Sequence, residues 1–284
     1  MSTGLTRRTF LGSAAAATAW TSLGSPATAA ASPSAVPAQA GTLKIGLASY
    51  STRKFTLDQT LAMAQTLGVR YMTFKDVHLP RTDPAETTRA LRAKIEAAGI
   101  TIMGGGTITL PNDPVEIRKN FEYAKNAGFP LIFTSPEPAA LDTIEAMVKE
   151  YDIKAVIHNH GPEDKVWHRP QDAYAAIKSR DPRMGLCIDI GHTLRTGTDP
   201  VAAVRECHDR LYDMHVKDLA VKTDRDSQVA VGRGLIDFPA LFRALLELNY
   251  QGQVGLEYEI KEDDPLPGMI ESIAYERGVL AGIR

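Results

Sequence analysis

The chain has 284 residues, of which 44% are hydrophobic and 23% charged, enough apolar content and length to bury a large core. A formal net charge of -2 at pH 7 leaves no basic face of the kind that nucleic-acid binders carry. The two cysteines, Cys187 and Cys207, form no CxxC pair and read as small apolar core residues rather than a disulfide.

In chain order, the first feature is Arg7-Arg8 within Thr6–Gly12, followed by an Ala-rich stretch and Ala27-Thr28-Ala29. This reads as a twin-arginine signal peptide over 1–29 with an A-x-A cleavage site, predicting a periplasmic or extracellular protein. Its apolar stretch falls short of the roughly 20 residues that span a bilayer, so no stable membrane anchor is expected after cleavage. Residues 30–42, rich in Ala, Pro and Ser, read as a linker, and 43–284 as one folded domain.

Within that domain eight short apolar runs alternate with helical patterns: 43–49, 70–74, 100–104, 130–134, 154–159, 185–190, 211–216 and 253–258. Continuous apolarity suits strands buried on both faces of a parallel sheet. Asp83-Pro84, Asp113-Pro114 and Asp199-Pro200 each offer a capping side chain ahead of a first-turn proline. Gly68, Gly99 and Gly128 sit where helices should end. Units of about 30 residues give an α/β fold, a (β/α)8 TIM barrel. The runner-up, a doubly wound open sheet, would carry a Gly-rich phosphate loop after its first strand, and Leu47–Ser51 is nothing like one.

Active sites of such barrels lie at the C-terminal strand ends. Of seven histidines, five fall there: His78, His158, His160, His192 and His215. His158 and His160 share a face, as do His215 and Lys217, and Glu257 and Glu259, while Asp189 ends the sixth strand. Four adjacent strands therefore aim a His, an Asp, a His and a Glu at one centre. Such a mixed imidazole and carboxylate set suits one divalent ion of Mn, Co, Fe, Ni or Zn better than Mg or Ca. Lys75, His78 and Glu137 follow other strands and are expected to line the pocket, with His192. Gly104-Gly105-Gly106 reads as a turn, either plainly flexible or open to a ligand. Arg233 in the loop after the seventh strand could clamp a substrate oxygen or simply be solvated, and Asp218 could anchor that loop or touch substrate.

The stretches CIDIGHTLRTGTDP, RLYDMHVKDL, GRGLIDFPALFRALLELNYQG and GLEYE, in this order, resemble the xylose-isomerase-like TIM-barrel superfamily. That group includes sugar phosphate isomerases and epimerases, ketose 3-epimerases, inosose dehydratases, keto-glycoside-processing members and apurinic endonucleases. The resemblance implies a metal held by residues on strands five to eight, here His158, Asp189, His215 and Glu257, with Glu259 in reserve. His158 stands where many members have a glutamate. The loss of paired carboxylates favours one-sided proton abstraction over symmetric epimerisation. The expected activity is metal-dependent enolisation next to the carbonyl of a sugar or keto-sugar, extending to elimination or hydration of a 3-keto-glycoside. Glu257, Lys217, His160 and Lys75 are the expected catalytic residues, and His78, His192, Glu137 and Arg233 the substrate contacts. The alternatives are a ketose or aldose epimerase or isomerase, and a non-catalytic periplasmic sugar-binding protein. Cleavage at abasic DNA is disfavoured by charge and export. The sequence leaves the oligomeric state open, a homo-oligomer included.

Overall fold

The computed structural model describes Thr42–Ile283; the expected signal peptide, and the linker up to residue 41, lie outside the described residues. Eight parallel strands close into a barrel, each beside its neighbours in sequence: β1 (Lys44–Ala48), β2 (Tyr71–Phe74), β3 (Thr101–Leu110), β4 (Leu131–Pro136), β5 (Lys154–His158), β6 (Met184–Asp189), β7 (Leu211–Val216) and β8 (Gln253–Leu256). Between and after them run α1 (Leu57–Leu67), α2 (Ala85–Ala97), α3 (Pro114–Ala127), α4 (Leu141–Tyr151), α5 (Pro170–Ile177), α6 (Ile190–Arg195), α7 (Pro200–Cys207), α8 (Phe238–Glu247) and α9 (Leu266–Gly282). The loop after β7 carries a small antiparallel ribbon of Asp218–Leu219 and Gln228–Val229. No described helix is long and apolar enough to cross a membrane.

The strands are apolar throughout because both faces are covered. Alternate residues divide between two environments. Ile132, Ala155, Ile157, Leu186 and Ile188 join the large core that includes the helices' buried faces. Leu131, Phe133, Val156 and Cys187 form a separate cluster, the barrel interior. By the same alternation His158 and Asp189 continue the inner face at the C-terminal end.

Local chemistry sets the helix starts. Asp113 accepts from the backbone N–H groups of Val115 and Glu116, and Asp199 from that of Val201, each with proline in the first turn. At α2 the expected Asp83 cap is replaced by Pro84 itself, with no side-chain capping bond. The chain turns left-handed after α1 and α3 at Gly68 and Gly128.

The glycine run differs from expectation. Gly104, Gly105 and Gly106 lie inside β3, which continues to Leu110, and are not a turn. A Cβ on Gly105 would fall 2.0 Å from the Phe129 ring, and one on Gly104 2.5 Å from the Leu131 side chain. Their bareness admits large core side chains rather than a ligand.

Candidate active site

At the C-terminal end of the barrel His158, Asp189, His215 and Glu257 converge, with one potential ligand atom from each within 4.8 Å of all the others. His158 Nε2 lies 3.0 Å from His215 Nδ1 and 3.8 Å from Asp189 Oδ2, and His215 Nδ1 lies 3.3 Å from Glu257 Oε1. All four side chains are buried. Two nitrogens bound to one cation at about 2.0–2.1 Å each would sit roughly 3 Å apart, so the His158–His215 spacing suits a shared ion.

Lys217 is the second feature of the site. Its buried ammonium lies 3.0 Å from Asp189 Oδ2, 2.8 Å from Glu257 Oε2 and 2.9 Å from Glu259 Oε1. Burial favours loss of its proton, but the three carboxylates outweigh this and hold its pKa well above the ordinary lysine value. Lys217 is therefore a fixed ammonium, better suited to orienting carboxylates than to carrying protons. Gly191 makes room for its stem: a Cβ there would lie 2.4 Å from Lys217 Cγ.

One ammonium cannot balance three carboxylates. Burial pushes the Glu257 carboxyl up, yet His215 and Lys217 together win and hold it well below the usual carboxylate range. The deficit appears at His215, where burial pulls the pKa down but Glu257 raises it on balance. A divalent ion among these groups would supply the missing charge, so the donor set fits one. Glu259 is only half buried, and desolvation leaves its carboxyl above the usual range despite Lys217.

Three further imidazoles stay neutral because burial disfavours their charged forms. His158 is held well below the ordinary histidine value, His192 is lowered to about 4, and His160 is lowered too. The His160 ring centroid is 4.5 Å from that of His158, and Asp164 Oδ2 lies 3.4 Å from its Nδ1. His192 donates its backbone N–H to Asp189 Oδ1 at 2.8 Å, and its ring faces Arg195, which pairs with Glu163. Lys75 is half-buried, its ammonium 5.0 Å from the centre of the Tyr50 ring; it has no carboxylate partner among the described residues.

Sequence reasoning missed Asn159. Its amide accepts from the Asp189 N–H at 3.0 Å and donates to Thr193 Oγ1, pinning the end of β5 to the start of α6. Its place between two candidate histidines was the available signal.

Three expected substrate contacts are not brought to this cluster. His78 is buried, with Nδ1 3.0 Å from Ser49 Oγ and Nε2 3.0 Å from Thr60 Oγ1 and 3.1 Å from the Phe55 carbonyl. Both ring nitrogens are thus used in tying the loop after β2 to the turn after β1. Glu137 is exposed and accepts from the Asn112 backbone N–H at 3.1 Å. Arg233 is exposed and pairs with Glu271 of α9. Asp218 anchors the loop, accepting from the backbone N–H groups of Leu219, Gly232, Gly234 and Ile236. A cavity of about 340 Å³ lies at the other end of the barrel, where Leu131, Lys154 and Leu211 begin their strands.

Residues 139–277 match the family model described as xylose isomerase-like TIM barrel. An inosose dehydratase of Clostridium tetani is 27% identical over 148 residues, which cover 45% of this chain and 49% of that protein. The chain thus matches about half the length of that curated relative. Among solved structures, an uncharacterized protein from Parabacteroides distasonis is 26% identical, covering 83% of this chain and 98% of that one with a TM-score of 0.65. A 3-keto-D-glucoside 4-epimerase from E. coli, 18% identical, covers 83% of this chain and 99% of that one with a TM-score of 0.68, a likeness of fold. The closed eight-stranded barrel has the xylose isomerase-like TIM-barrel fold, and residues 139–277, from the end of β4 to within α9, are similar to that family in sequence.

Proposed function

We propose that this protein is a divalent-metal-dependent enzyme that enolises a sugar or keto-sugar next to its carbonyl and then eliminates across the adjacent bond. One observation carries the reading: two imidazoles and two carboxylates converge at the catalytic end of the barrel beside a buried lysine held by three carboxylates. His158, Asp189, His215 and Glu257 would hold the cation, which when bound polarises a carbonyl or hydroxyl of the substrate.

The remaining groups divide the proton work. Glu259 is half-buried with a raised pKa, the state wanted in a carboxylate that takes a proton from carbon and can return it. His160, neutral and partly exposed beside His158, is the second proton carrier. Lys217 keeps Glu257 and Glu259 oriented, and Lys75, which has no carboxylate partner among the described residues, offers a cation for a substrate oxygen. The two carriers are unlike, one carboxylate and one imidazole, because β5 presents His158 rather than a second carboxylate. Elimination therefore suits the site better than epimerisation, and the similarity to an inosose dehydratase points the same way. Export is part of this proposal and rests on Arg7-Arg8 and the Ala-rich stretch after them.

The test is NMR in deuterated water with metal-loaded protein and, in turn, inosose, free ketoses and a 3-keto-glycoside. Deuterium uptake beside the carbonyl with loss of water or aglycone is expected. An isomeric sugar as product would overturn elimination, and tight binding without exchange would overturn catalysis.

A further inference from the structure

We propose that Cys187 is a latent soft-metal ligand beneath this site, completing a set of two imidazoles and one thiolate with His158 and His215. The inference rests on reading these histidines as metal ligands, and it names the class of cation they take.

Cys187 lies on β6 directly beside His158 in the barrel register, two residues before Asp189 and so on the same inner face. Its sulfur and one nitrogen from each histidine lie within 4.8 Å of one another, close enough for one cation to reach all three after small side-chain rotations. Both histidines are 3% exposed, and each keeps one buried nitrogen without a partner among the described residues: Nδ1 of His158 and Nε2 of His215. The sulfur is in no disulfide among the described residues and is fully buried, and it makes a side-chain hydrogen bond to Asp213 Oδ1 at 4.0 Å.

Nitrogen and oxygen donors alone accept many divalent ions, whereas a thiolate selects Zn²⁺ and Cd²⁺. Thiols ligate as thiolates, so the S–H bond breaks as the metal–sulfur bond forms, and one proton leaves to solvent with no change of oxidation state.

Titrating metal-free protein with Co²⁺ should give visible cobalt bands together with a near-ultraviolet thiolate-to-cobalt charge-transfer band. Cys187→Ser should keep the visible bands, lose the charge-transfer band, release one proton fewer per metal and bind Cd²⁺ about 10- to 100-fold more weakly. Cys187→Ala, which removes only the sulfur from an apolar niche, should behave alike and guards against misfolding. Visible bands in the parent protein without charge transfer would overturn the thiolate while leaving the metal site standing. Unchanged Cd²⁺ affinity in both variants would do the same. Failure of the parent protein to bind any cation would overturn both readings.

Discussion

His78 and His158 occupy comparable places: each lies at a C-terminal strand end or just beyond it, and each is 3% exposed. Their surroundings differ. His78, after β2, spends both nitrogens on Ser49, Thr60 and Phe55, whereas His158, on β5, faces another histidine and an aspartate and keeps a nitrogen without a partner among the described residues. The contrast extends to the two halves of the barrel. Beside β1–β4, Glu137 caps a backbone N–H and the glycines of β3 admit core side chains. Beside β5–β8, carboxylates, imidazoles and one ammonium crowd together in excess of what they can satisfy among themselves. Position at the rim is shared by both halves; among the described residues the cluster of crowded, mutually unsatisfied carboxylates and imidazoles belongs to the second.

The sharpest way to break this comparison is to remove a carboxylate. Asp189→Ala and Glu257→Gln should each lower keto-sugar turnover by about 100- to 1,000-fold, the range for losing a preorganised electrostatic partner. Steady-state kinetics on folded protein would check it, and turnover near the parent value would contradict the assignment. Lys217→Met should weaken divalent-ion affinity by about 10- to 100-fold in calorimetric titration, because two candidate ligand carboxylates lose the ammonium that orients them. Gly191→Ala, which pushes on the same stem, should act in the same direction by less.

On the first-half side, His78→Ala should cost about 2–3 kcal/mol of stability in denaturant unfolding, since buried partners lose their hydrogen bonds. Its turnover per folded molecule should stay within about threefold of the parent. A pH series sharpens the point. Burial lowers the His78 pKa below its ordinary value of 6.5, so below that pH the unfolded chain binds a proton that the fold refuses. Stability should therefore fall as pH drops through this value, by up to about 1.4 kcal/mol per pH unit from this group, and His78→Gln should remove that part of the slope. The smallest effects belong to Arg233→Ala and Glu137→Gln, both exposed, where stability should change by less than about 0.5 kcal/mol with turnover unaltered.

The barrel was legible in the sequence because strands covered on both faces must be apolar throughout, and the eight runs found that way are the eight barrel strands. The cluster was legible for a related reason: period-two alternation fixes which residues of β5–β8 share the inner face. What alternation cannot supply is the identity of partners across the fold. Nothing local distinguishes His78, satisfied by residues of the turn after β1 and of α1, from His158. Arg233 lies 38 residues from the glutamate it pairs with. Cys187 read as filler because a buried thiol and a buried methyl group look alike until neighbouring nitrogens are in view. The glycines of β3 read as a turn because the ring that needs their space, Phe129, comes more than 20 residues later.

The most direct measurement is a calorimetric titration of metal-free protein with a divalent cation, comparing the parent chain with His78→Gln and Asp189→Ala. The parent and His78→Gln should each bind one equivalent with similar affinity, and Asp189→Ala should bind none at the same concentrations. Equal binding by all three proteins, or loss of binding in His78→Gln alone, would contradict a cation site built from the ends of β5–β8.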